Sequence, residues 1–190
     1  MRVVIIGQKW LAAELLHQCH RQGYQVIAVS APGGDRLATE AEAYAIPNLE
    51  LYNLPECDII LCAHAHVFIS AAVRAKAVHG AYGYHPSLLP RHRGRDAIRW
   101  AVHMREAVTG GTVYRMDDGA DTGDIAVQDW CHIRPNDTAA DLWRRELAPM
   151  GLRLFAQLLN AVRDKQLKLT PQITELATWE PAFKATPLSG

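Results

Sequence analysis

Runs of branched apolar residues at positions 3–6, 26–29 and 59–63, and an unbranched run at 80–84, punctuate the first half of the chain. Unbroken runs of this kind, without strict alternation of apolar and polar positions, mark strands covered on both faces. Between them the period changes. Trp10, Leu11, Leu15 and Cys19 recur at helical spacing until Gly23 stops the helix. Asp35 is placed to cap a short helix reaching about residue 45, and a brief strand is expected at 48–51. Ser70 caps a helix over 71–78 that leads into the 80–84 strand, and Asp96 caps another reaching residue 105. Strands at 111–116 and 125–130 follow. Residues 135–138 then open an amphipathic helix running to 162, with Pro149 as its kink or break. Trp100 and Trp143 fall inside helical runs and are expected in the core, and the threonine- and proline-rich tail, residues 168–190, is expected to wrap the surface.

Strands and helices alternating at this interval predict an α/β fold, a Rossmann-like, mostly parallel sheet with helices on both faces. Ligands of such sheets sit at the carboxyl ends of the strands. That rule sets His64, His66 and His85 at one rim, since each lies at the end of an apolar run.

Composition narrows the partners. Lys and Arg together number 20, as do Asp and Glu, so no global field draws the chain toward nucleic acid or an anionic membrane. No run approaches the ~20 apolar residues that span a bilayer, and the opening Met1-Arg2-Val3-Val4-Ile5-Ile6-Gly7 reads as a strand, not a secretory leader. Cys19, Cys57, Cys62 and Cys131 are scattered with no C-x-x-C pair, the pattern of a reduced, cytoplasmic protein. A dinucleotide site would need G-x-G-x-x-G after the first strand. Gly7-Gln8-Lys9-Trp10-Leu11-Ala12 lacks the glycine turn for a pyrophosphate.

Two stretches carry the candidate chemistry. The apolar run ending in His85 meets Pro86-Ser87-Leu88-Leu89-Pro90 at once, and proline donates no backbone hydrogen, so His85 should end a strand and face a rigid loop. Downstream, Asp117, Asp118, Asp121 and Asp124 put four carboxylates into eight residues with glycines between them, a tight acidic turn. A base and a carboxylate on two preorganised loops suffice for proton transfer. Side chains alternate along a strand, so Gly83 and His85 share a face; the space over Gly83 is expected to be open and to lack a donor. His64-Ala65-His66 with His85 or an aspartate could make a three-ligand zinc site, but no recognised spacing such as H-E-x-x-H supports it, so a polar loop lining a pocket is the better reading and no metal is expected. Ser87 lacks the G-x-S-x-G setting of a nucleophile and suits a structural turn. Arg91, His92, Arg93 and Arg95 read as a solvated basic loop, with partners for the anionic tail of a small ligand as the alternative.

His85-Pro86-Ser87-Leu88-Leu89-Pro90, with Asp121-Thr122-Gly123-Asp124 downstream, resembles the formyltransferase family that uses 10-formyltetrahydrofolate, over about residues 1–159. That family includes glycinamide ribonucleotide transformylase, methionyl-tRNA formyltransferase and the sugar-amine formyltransferases. Within it, Tyr84-His85-Pro86-Ser87-Leu88-Leu89-Pro90-Arg91-His92-Arg93-Gly94 and the Gly-Gln opening are most similar to the hydrolase domain of 10-formyltetrahydrofolate dehydrogenase. The resemblance implies a catalytic domain at 1–165 with an extension, 166–190, packed on it. It implies His85 and Asp121 as the catalytic pair, and a folate held by Ala63, His64, Ala65, His66 and Phe68 with Gly83, Ser87, Asp117 and Asp118. It implies 10-formyltetrahydrofolate as formyl donor, and a small amine or water as acceptor. The transferases usually carry asparagine where this chain has Gly83, which favours water as acceptor; by this reading Gly83→Asn restores a donor and speeds transfer. No carboxyl-terminal tRNA-binding domain fits within 190 residues, and the tail leaves a homo-oligomer open.

Overall fold

The computed structural model describes residues 1–183. Six strands form one sheet in the order β2-β1-β3-β4-β5-β6. They are β1 (Arg2–Gly7), β2 (Gln25–Ser30), β3 (Ile59–Ala63), β4 (Ala81–His85), β5 (Val108–Arg115) and β6 (Ile125–His132). The first four are parallel; β5 alone is reversed, pairing antiparallel with β4 on one side and β6 on the other. The helices are α1 (Lys9–Arg21), α2 (Arg36–Ala43), α3 (Ala71–Arg74), α4 (Ala97–His103), α5 (Ala139–Leu142) and α6 (Ala148–Arg163).

The alternating side chains of the buried strands build a core on each face. Val3, Ile5, Ile59, Leu61 and Tyr82 pack with Leu11, Leu15 and Cys19 of α1 and with Leu154, Phe155 and Leu158 of α6. Val4, Ile6, Ile60, Cys62 and Ala81 pack on the other face with Val73 of α3 and Ala77. All four cysteines are buried and unpaired, and burial pushes the Cys62 thiol up to about 12. No helix among the described residues is long and apolar enough to cross a membrane.

Several expected elements differ. The strand at 48–51 is reduced to a single bridge of Asn48 to Val29 before the chain turns into a 3-10 turn at Leu51–Asn53. The helix capped by Ser70 stops at Arg74, because residue 77 pairs with Cys57 and pulls the chain out of helical register. Asp96 sits at φ 62 and makes no side-chain cap; its carboxylate accepts from the Phe183 amide at 2.9 Å. Thr138 does cap α5, in a reciprocal box with Asp141. Pro149 has no N–H to offer four residues back, and the turn preceding it widens into a π segment, Trp143–Leu147. Trp10 is 38% exposed, so it is not core; Trp100 is buried and Trp143 half-buried.

The tail returns across the front of the molecule. Thr170 bridges Ile125, Trp179 bridges Arg93, and the Trp100 indole donates to the Pro181 carbonyl at 2.8 Å. Residues 184–190 of the expected extension lie outside the described residues.

Candidate active site

Cys62 of β3 pairs with Gly83 of β4, so the residues after Ala63 and the residue that closes β4, His85, share one rim. His85 is 7% exposed. Its Nε2 lies 2.7 Å from the His92 carbonyl oxygen, and a carbonyl only accepts, so Nε2 carries a proton and donates it there. Nδ1 is thereby left to face Asp121, 3.5 Å from its Oδ2.

Asp121 reaches this position because the acidic turn folds back over the sheet. β5 descends beside β4, with Gly83 opposite Tyr114 and Tyr82 opposite Arg115, so the turn starts at the far end of β4 and must return to meet His85. Asp117 organises that return by accepting from the Gly119 amide (3.0 Å) and the Thr122 hydroxyl (2.7 Å). Both oxygens of Asp121 are then held, Oδ1 by the Tyr114 hydroxyl at 2.7 Å and Oδ2 by the Gly94 amide at 2.8 Å.

The loop after β4 is fixed from beneath and from the tail. Buried Thr112 donates to the Ser87 carbonyl and accepts from the Leu89 amide. Each ring nitrogen of His92, which is 1% exposed, faces a carboxylate: Glu180 at 2.8 Å and Glu106 at 3.1 Å. Arg93 holds the side-chain oxygen of Gln172, whose amide donates to the carbonyls of Asp121 and Gly123. Among the described residues eight non-glycine positions have positive φ, and His64, His92, Asp96 and Asp121 are four of them. Such conformations cost about 1–3 kcal/mol each and persist where surrounding structure over-determines them. Their gathering here marks the site without reference to any motif.

Three expectations are corrected. The space over Gly83 is not open: a Cβ built there would stand 3.2 Å from three atoms of the Tyr114 side chain, so the ring already fills it and brings a donor with it. Ser87 faces no cleft; it is 1% exposed and its hydroxyl donates to the Arg91 carbonyl at 2.6 Å. The basic cluster is no solvated loop, since Arg91 pairs with Glu106 and His92 and Arg93 are engaged as above; Arg95 alone of the four is exposed. Of the other expected residues, Ala63 is fully buried at the end of β3, while His66 and Phe68 are exposed on the rim loop and Ala65 is half-buried. Asp118 lies outermost, paired with Arg74. Tyr114, Gln172 and Glu180 had no signal in the sequence, because none belongs to a local motif.

His64 and His66 face each other with ring centroids 5.0 Å apart, and the edge of Trp143 abuts His64. No group of three or more metal-ligating side chains gathers among the described residues. Burial first, then the charges of Lys9 and His66, push His64 down to about 4. The unfolded ring takes up its proton near 6.5, so the unfolded chain binds more protons between those values. Stability from this residue is therefore complete above about pH 6.5 and is lost as pH falls toward 4. Thermal unfolding midpoints measured across that interval should fall less steeply for His64→Gln than for the parent; parallel curves would contradict the assignment.

Comparison with known proteins gives a consistent result. Residues 36–158 match the family described as formyl transferase. The chain is 34% identical over 209 residues to a mitochondrial 10-formyltetrahydrofolate dehydrogenase of Mus musculus, covering 95% of this chain and 22% of that protein. It thus spans under a quarter of the length of such relatives. An N-formyltransferase from Helicobacter canadensis, solved with folinic acid and dTDP-3-aminofucose, superposes with a TM-score of 0.77 at 18% identity, over 94% of this chain and 70% of that one. HypX from Aquifex aeolicus, solved with tetrahydrofolic acid, gives 0.77 at 22% identity, over 97% and 30%. At those identities the likeness is one of fold.

Proposed function

The chain belongs to the formyl transferase family, and from that premise we propose that it takes a formyl group from 10-formyltetrahydrofolate and passes it to a small amine, with His85 and Asp121 as its acid–base pair. The observation that carries the proposal is the approach of His85 Nδ1 to Asp121 Oδ2, 3.5 Å apart on elements distant in sequence. The rim suits a folate: Val67 and Phe68 expose 52% and 69% of their surface on the loop after β3, an apolar face for a planar ring system, with backbone polar groups beside them. Both solved neighbours carry a folate derivative.

The nucleophile attacks the formyl carbon and generates a tetrahedral oxyanion; its collapse requires a proton on the departing folate nitrogen. Because His85 Nε2 is committed to the His92 carbonyl, the ring exchanges protons through Nδ1 alone. Asp121 Oδ2, beside that nitrogen, accepts the proton of the attacking group and passes it to Nδ1, and the imidazolium so formed gives it to the leaving nitrogen, which returns both groups to their starting states. Tyr114 and Gly94 fix the carboxylate, so little reorganisation is needed at the moment of reaction.

A second reading has its own support. Gly83 brings no side-chain amide, and the relatives matched along nearly the whole chain are 10-formyltetrahydrofolate dehydrogenases, so water is the alternative acceptor, giving formate and tetrahydrofolate. Mixing the protein with 10-formyltetrahydrofolate alone, then with a panel of small amines and amino sugars, separates the two. Transfer gives an N-formyl product only with an amine; hydrolysis releases tetrahydrofolate without one. Folate binding with no turnover under either condition would leave a non-catalytic folate-binding protein.

A further inference from the structure

Gly83 and Tyr114 are cross-strand partners, and partners across an antiparallel pair project to the same face. With no side chain at 83, the Tyr114 ring occupies the space over that residue, its Cε1, Cζ and Oη each 3.2 Å from where a Cβ would stand. The ring is 6% exposed, and its hydroxyl donates to Asp121 Oδ1 at 2.7 Å. Burial, reinforced by the Asp121 carboxylate, pushes the phenol well above its ordinary value, so the O–H persists as a donor. Nothing else among the described residues donates to Oδ1: the Gly94 amide takes Oδ2, and His85 turns its Nδ1 to the same oxygen.

We propose that Tyr114 is a positioning residue for the reaction: its hydroxyl, reaching over Gly83 from the neighbouring strand, aims the Asp121 carboxylate at His85 and the attacking group, in place of a side chain at 83. The inference rests on the formyl-transfer reading and deepens it by making residues 83 and 114 one unit. During turnover the phenol keeps its proton. It holds Oδ1 while Oδ2 takes the proton of the nucleophile, so no additional group has to balance the step. A ring serving only as packing would be replaced by phenylalanine without consequence.

Steady-state kinetics with 10-formyltetrahydrofolate tests the proposal. Tyr114→Phe should lower kcat ten- to a hundredfold, with KM for the folate within twofold and the fold intact by circular dichroism. Gly83→Asn alone should also slow the enzyme, because its Cβ crowds the Tyr114 ring. Combined with Tyr114→Ser, which clears the space, Gly83→Asn should instead raise kcat at least tenfold over Tyr114→Ser alone, whereas Gly83→Ala in the same background, which fills the space without a donor, should not. Full kcat in Tyr114→Phe, a Gly83→Asn double variant no faster than Tyr114→Ser, or a gain matched by Gly83→Ala, overturns the proposal. His85→Ala and Asp121→Asn run alongside: if both are inactive while Tyr114→Phe is not slowed, only the role of Tyr114 falls. If both stay active, the formyl-transfer reading falls and takes this inference with it.

Discussion

Asparagine at position 121 and alanine at position 85 should each cut formyl release from 10-formyltetrahydrofolate by roughly 10²–10⁴-fold, the range that a positioned acid or base contributes. Asp121→Asn is the cleaner of the two. The amide has nearly the shape of the carboxylate, and its oxygen can accept from the Gly94 amide while its nitrogen donates to the Tyr114 oxygen, so the turn keeps both its ties. What disappears is the acceptor for the nucleophile's proton. His85→Ala also leaves the His92 carbonyl without its donor, and an unsatisfied buried acceptor costs about 1–3 kcal/mol of stability. Circular dichroism and thermal melting must therefore accompany the rate measurement, which follows tetrahydrofolate appearance at saturating donor. Most of the parent rate surviving in either folded variant would remove the acid–base mechanism.

The sequence made the frame of this site readable and concealed what holds it. Buried parallel strands announce themselves as branched apolar runs, so the ends of β3 and β4, and hence the rim shared by His64 and His85, follow from pattern alone. The acidic turn is equally local, since glycines between aspartates restrict it to a tight bend. Tyr114 was hidden because its role depends on the register of β5 against β4, which no periodicity in either strand specifies. The same holds for the tail. Gln172 and Glu180 reach partners 51 and 88 residues away, and a single glutamine or glutamate in a polar stretch looks like any solvated residue. His92 misled for the complementary reason: flanked by arginines it resembled a charged loop, whereas the carboxylates that bury it come from residues 106 and 180. The pattern of apolar positions thus specifies the layers. The polar ties that aim the catalytic groups depend on contacts between segments far apart in the chain.

That division predicts a large effect from a residue with no functional group at all. Gly123 follows Asp121 by two positions, and a Cβ placed on it would stand 1.7 Å from the Arg115 carbonyl oxygen, where β5 and the acidic turn close on each other through the Arg115 amide and the Asp124 carbonyl. The obstacle is backbone on both sides, so no side-chain rotation relieves it. Gly123→Ala must prise the turn from the end of β5, at a cost of about 3 kcal/mol, the upper part of the usual range for overpacking. For a chain of this length that corresponds to a melting temperature lower by roughly 6–12 °C. Gln172, whose amide spans the carbonyls of Asp121 and Gly123, transmits the displacement to the carboxylate, and a misplacement of about 1 Å at a reacting group can cost 10²-fold in rate. Gly123→Ala should therefore lose most of its turnover at 25 °C while still folded, with His85, Asp121 and Tyr114 all present. A variant with the parent's melting temperature and rate would show that the turn does not depend on this close approach, and that Asp121 is held by Tyr114 and Gly94 alone.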